Sequence, residues 1–136
     1  MPSAPSNVAA LRSLLAARFP ERTRKSSGMV ATGVQSVDEA LGGGLPAGRL
    51  TELVSASPGT GGQTVVAELL HATRIARQRI ALIDAAQGFV AEQVPSDVLR
   101  HLLRVRAHGA GEAFGAADIL VRDGNYAVVI LDLRGI

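Results

Sequence analysis

Apolar and polar positions along this chain switch between two periods. From Gly33 onward the switches alternate as strand, helix, strand, helix. Tyr126-Ala127-Val128-Val129-Ile130-Leu131-Asp132 is the clearest strand, an apolar run closed by a carboxylate, and Arg79–Asp84 (RIALID) is a second of the same kind. Leu102–Ala107 predicts a third, and Arg49–Ser55 alternates as a fourth. Between them, Gln63–Gln78 predicts a helix whose apolar face carries Val65, Val66, Leu69, Leu70, Thr73, Ile75 and Ala76. A short helix capped at Ser96 precedes the Leu102 strand. Gly111–Asp123 predicts a further helix, with Ala113, Phe114, Ala117, Leu120 and Val121 apolar and Gly124-Asn125 as its stop. Earlier, Ser36-Val37-Asp38-Glu39 has the form of a capping box for a helix ending at Gly42. Alternating strands and helices with short turns predict an α/β domain with a mainly parallel sheet and a ligand crevice at the strands' carboxyl ends.

Ahead of this domain, Asn7–Phe19 has Val8, Leu11, Leu15 and Phe19 at helical spacing, with Asn7 at the N-cap and Pro20 as terminator. Residues 20–28 (PERTRKSSG) read as a linker. The chain therefore divides into residues 1–28, an amphipathic helix with a basic linker, and 29–136, the α/β domain. Length supports a single core in a chain of 136 residues. The absence of Cys removes disulfides, thiol catalysis and Cys-based zinc sites, and His71, His101 and His108 lack ligand spacing and read as surface or helix residues. No secretory leader pattern and no run of membrane-spanning length occur, which makes the cytoplasm the expected compartment. The net charge is only +2, but Arg18, Arg22, Arg24 and Lys25 face one nearby acid, Glu21; this segment reads as a solvated linker or a nucleic-acid contact. Arg100, Arg104 and Arg106 are further candidates for a DNA-facing edge.

The candidate chemistry lies in Ser57-Pro58-Gly59-Thr60-Gly61-Gly62-Gln63-Thr64, between a predicted strand and a helix. Strand, glycine loop and helix make a phosphate cradle, because backbone N–H groups and the helix N-terminus converge on phosphate oxygens. Laid on G-x-x-x-x-G-K-[ST], the first glycine is Ser57 and the lysine is Gln63, while Thr64 keeps the hydroxyl that would ligate magnesium. Gln63 donates a hydrogen bond but no charge, and losing one charge-assisted hydrogen bond costs about 1.5–3 kcal/mol. Asp132, at the carboxyl edge of an apolar strand, is the partner expected to hold magnesium through water.

Thr32-Gly33-Val34 and Ser36 through Leu53, with their SVDEALGGGLPAGRLTEL core, resemble the lead-in to the ATPase core of RecA/RadA recombinases. The degenerate loop, Ala81-Leu82-Ile83-Asp84-Ala85, Leu102-Leu103-Arg104-Val105, Gly111-Glu112-Ala113 and the Tyr126–Asp132 strand follow in that family's order, so the resemblance covers residues 31–136. Within the group the chain is most similar to the ImuA-type RecA-like proteins of bacterial damage-induced (SOS) mutagenesis, a likeness that includes Leu11-Arg12, Leu14-Leu15 and Arg18-Phe19-Pro20. The implied fold is a RecA-like P-loop NTPase core with a mainly parallel sheet, truncated after its Walker B-like strand, plus the N-terminal amphipathic helix. The chain then stops short of the family's DNA-binding loops, either as a fragment or as a shortened member, and an apolar edge beside its last strand would need covering.

The departures from the family are grouped at the site. Its catalytic acid position is Ala86, and its adenine-contacting Asp and Tyr would fall near Val90 and Gln93. Gly59, Thr60, Gly61, Gly62, Gln63, Thr64 and Asp132 would form a vestigial phosphate and magnesium site with no catalytic residue. Weak ATP or ADP binding with magnesium is the most it is expected to support. The resemblance thus implies a non-catalytic accessory protein of translesion synthesis in DNA repair. It would be nucleoid-associated and make protein–protein contacts with RecA recombinase or translesion polymerase subunits; DNA and a second copy are further candidate partners, and a membrane is not. The alternative is an ATP-binding recombinase-like enzyme or switch in which an Arg replaces the lysine.

Overall fold

The computed structural model describes residues 7–18, 28–57 and 61–136. The predicted basic segment and linker, Phe19 included, lie almost wholly outside these residues, as do Gly59 and Thr60. Helix α1 (Asn7–Arg18) leads the chain. Met29–Val30 (β1) and Leu45–Pro46 (β2) then pair antiparallel around helix α2 (Gln35–Ala40). The main layer follows as α3 (Gly62–Ile75), β3 (Ile80–Asp84), α4 (Ser96–Leu99), β4 (Leu102–Arg106), α5 (Ala110–Asp123) and β5 (Val128–Asp132). A 3-10 turn, Ala91–Gln93, precedes α4.

The three long strands form a parallel sheet in the order β4-β3-β5, with Ile80 opposite Leu102 and Val128, and Asp84 opposite Arg106 and Asp132. Central β3 is buried at all five residues because both faces of the sheet are covered. Its even-numbered side packs Ile80, with Leu102, Val128 and Ile130, against Leu69 and Leu70 of α3 and Val98 of α4. Its odd-numbered side packs Ile83, with Val105, Val129 and Leu131, against Ala113, Ala117 and Leu120 of α5. Each fully buried Leu or Ile contributes about 1.5–3 kcal/mol relative to exposure. Among the described residues strand β5 is an outer strand of this sheet, half-buried throughout.

Several sequence expectations are corrected. Arg49–Ser55 forms no strand among the described residues; Leu50 is 98% exposed and Val54 77%. Alternation supplies the side-chain pattern of a strand, but the ladder exists only where a neighbouring strand answers its N–H and C=O groups. The Ser36/Glu39 capping box is not made. Val34 holds the N-cap position, and the Asp38 carboxylate instead accepts from Thr32 N (2.9 Å), Thr32 Oγ1 (2.7 Å) and Gly33 N (3.2 Å), contacts that lower its pKa, chiefly through Thr32. The helix ends at Ala40 with Leu41 as its C-cap, and the left-handed Gly42 (φ 72°) follows, Gly43 N–H donating to Asp38 C=O (2.7 Å) and Gly42 N–H to Glu39 C=O (3.2 Å). Ser96 opens α4 rather than capping it, Pro95 taking the cap position. On α3 Ile75 is exposed, as are Phe114 and Val121 on α5, so both apolar faces are narrower than their sequence stripes. No residue of α1 is buried, so its apolar stripe is not part of the core.

Candidate functional site

The carboxyl ends of β3 and β5 stand beside the N-terminus of α3, and their last residues, Asp84 and Asp132, are register partners. The two carboxylates differ in what occupies them. Asp84, wholly buried, accepts from Gly88 N (3.0 Å) and Phe89 N (3.4 Å), and from Arg104 through Nε (3.2 Å) and Nη2 (2.6 Å). Arg104 also stacks over the Phe89 ring, 5.3 Å from its centroid. Gln87 takes a left-handed conformation (φ 52°) just ahead of Gly88, bending the chain back so that both N–H groups reach the carboxylate. Asp84 thus builds the turn that follows β3.

Asp132 is held by Arg134. Its Oδ1 accepts from Arg134 N (3.2 Å) and Nε (2.8 Å), and its Oδ2 from Arg134 Nη2 (2.5 Å). The guanidinium hydrogen bonds lower the Asp132 pKa, and Asp132 in turn raises that of Arg134, with Asp84 adding to the effect. The carboxylate predicted to face a metal is therefore gripped through both oxygens by a cation two residues away. Ala86, at the predicted catalytic-acid position, donates its N–H to Asp132 C=O (3.2 Å), so its backbone borders the site while its side chain brings no acid.

Gly61 starts α3 with φ 98°, in the left-handed region. Gly61 at the N-cap has no side chain to cap the helix, and the N–H groups of Gly62, Gln63 and Thr64 carry its partial positive charge. Gln63 and Thr64 are both exposed. Gln63 Nε2 reaches Gly88 O at 3.5 Å, on the turn that Asp84 holds. Arg134 Nη2 lies 3.4 Å from where a β-carbon on Gly88 would sit. The fold therefore brings Gln63, Gly88, Arg134 and Asp132 around one turn, and two carboxylates there meet two guanidinium groups. Such a neutralised corner can bind an anion on the α3 N–H groups, but a magnesium ion would first have to displace Arg134 from Asp132.

Sequence reasoning missed Arg134, Gly88 and the Arg104–Asp84 pair; the Asp-x-Arg spacing at residues 132–134 was the available signal for the first. Val90 is 44% exposed, and Gln93 ends the 3-10 turn. Arg100, Arg104 and Arg106 do not form one edge: Arg104 is tied to Asp84, while Arg100 and Arg106 flank opposite ends of β4. Of the histidines, His71 and His108 are exposed as expected, but His101 is half-buried and its Nε2 lies 2.9 Å from Thr73 Oγ1. Among the described residues no group of three or more His, Cys, Asp or Glu could hold a metal ion.

Over 121 residues, 85% of this chain, the sequence is 31% identical to Protein RecA of Nostoc sp. and, equally, to that of Trichormus variabilis. The chain is similar to RecA. Protein RecA of Synechocystis sp. matches at 29% identity over 120 residues. The chain spans about a third of the length of these curated relatives, 32%, 32% and 33% respectively. No protein-family model matches it. The three-stranded parallel sheet flanked by helices on both faces fits a RecA-like core. Among the described residues no helix is long and apolar enough to cross a membrane.

Proposed function

We propose that this is a non-catalytic RecA-like accessory protein, of the ImuA type, that supports translesion synthesis after DNA damage through contacts with a recombinase or a mutagenic polymerase complex. Its RecA-like relationship carries the DNA-repair setting. The single observation that carries the non-catalytic part is the capture of Asp132 by Arg134, since a carboxylate engaged through both oxygens is not available to organise magnesium. Gln63 in place of a lysine and Ala86 in place of an acid act in the same direction: one removes charge at the phosphates, the other the group that would polarise water. Gly59–Thr64 with Asp132 is then a relic phosphate site that binds ATP or ADP weakly. Binding of magnesium-ATP to the parent and to a Gln63→Lys, Arg134→Ala variant tests this. Recovered binding in the variant supports a relic on an intact frame; tight magnesium-ATP binding by the parent refutes it.

A second reading has its own support. Arg134 approaches Gly88 beside Gln63, and an incoming triphosphate could draw it off Asp132 to serve as the missing cation, making the protein a nucleotide switch. In that case Arg134→Ala abolishes nucleotide binding rather than leaving or improving it.

A further inference from the structure

At the opposite, amino-terminal end of the sheet lies a shallow basin of about 530 Å³. Arg74, Arg77, Arg79 and Arg100 line it, with His101, Leu102, Leu103 and Tyr126. The parallel topology explains the convergence: Arg79 stands just before β3, Arg100 just before β4 and Tyr126 just before β5, while Arg74 and Arg77 come from the end of α3. All four arginines are exposed, and no acidic residue lines the basin. Elsewhere Arg104, Arg122 and Arg134 each pair with a carboxylate, whereas none of these four is in an ion pair among the described residues.

Four like charges crowded together repel one another, an arrangement that a ligand of opposite charge would relieve. We propose that this basin docks an acidic segment of a partner protein, with carboxylates on the arginine forks and an apolar side chain against Leu103, which is 38% exposed. The basin favours a peptide over a single-stranded nucleic acid on two counts. Its rings, Tyr126 and the half-buried His101 that is held by Thr73, give no succession of stacking platforms, and along β4 the next arginine, Arg104, is already committed to Asp84, so the free charge makes a compact cluster and not a track. The inference rests on the proposal that the protein works through protein contacts, and it names the chemistry of the partner.

The test is fluorescence anisotropy of the whole chain with a labelled peptide of glutamates interspersed with leucines, beside a labelled thymidine oligonucleotide. Expected is peptide binding that weakens as salt is raised and falls about tenfold or more in Arg77→Glu, Arg79→Glu, Arg100→Glu, with an unchanged thermal melt. Should that variant unfold, Arg77→Ala and Arg100→Ala are each expected to weaken binding about threefold, while Arg12→Glu, on α1, leaves it unchanged. Preference for the oligonucleotide, binding of neither probe, or peptide binding indifferent to these substitutions overturns the proposal. ATP turnover by the parent would strike the non-catalytic reading without moving the peptide result, so the two fail separately.

Discussion

Replacing Arg104 with Met keeps an unbranched apolar stem but removes the guanidinium, both from Asp84 and from the face of Phe89. Asp84 is wholly buried and Arg104 is 23% exposed, so the substitution strands a carboxylate with only the Gly88 and Phe89 N–H groups as donors. Breaking a fully buried pair from one side costs about 3–5 kcal/mol; partial access of water at Arg104 brings the expectation here to about 2–4 kcal/mol. For a domain of this size that is a fall in Tm of about 6–16 °C. Urea unfolding of the parent, Arg104→Met, Asp84→Asn and the double variant measures both the cost and the coupling. The Asp84→Asn, Arg104→Met double variant should recover part of the loss, since no buried charge remains unpaired. A single Arg104→Met within about 0.5 kcal/mol of the parent would refute the reasoning, because the buried carboxylate would then be satisfied without the guanidinium.

Gly44 has φ 136°, and a β-carbon there would lie 2.4 Å from Val30 O; Gly44→Ala is expected to cost at least about 2 kcal/mol in urea unfolding. Burial, then Arg74, hold the His101 pKa below 6.5, so its contribution to stability is complete above that value and is lost as pH falls through the folded pKa. Unfolding curves at descending pH should show this decline, and His101→Leu should flatten it. Asp132, its pKa lowered chiefly by the Arg134 hydrogen bond, contributes stability above the ordinary carboxylate pKa of 3.8 that is lost as pH falls through the lower folded value. Arg134→Ala should abolish that acid-side loss in the same titration.

The strands of the sheet were legible because their burial leaves a mark in the sequence: Ile80–Asp84 and Val128–Asp132 are apolar runs bounded by polar residues, the composition that the wholly buried central strand β3 requires and the half-buried outer strand β5 shares. Helices α3 and α5 showed through their periodicity, although Ile75, Phe114 and Val121 show that a stripe of apolar residues can be wider than the face that packs. Arg49–Ser55 failed for the complementary reason, since a strand depends on a neighbour that local pattern does not record. At the candidate site, the glycine loop and Asp132 were visible as a motif, but the Asp84–Arg104 pair joins residues twenty apart and follows from parallel register. The arginine basin was invisible for the same reason. Its members come from the end of one helix and the starts of separate strands, and only the topology gathers them at one end of the sheet.

The central claim is that this RecA-like frame does not turn over ATP. Magnesium-dependent ATP hydrolysis by the purified chain, with and without single-stranded DNA, tests it most directly, beside a Gln63→Lys, Ala86→Glu variant that restores both missing groups. No hydrolysis by the parent under either condition is the predicted result. Magnesium-dependent hydrolysis by the parent would contradict the account and point to Arg134 as the cation in place of the lysine.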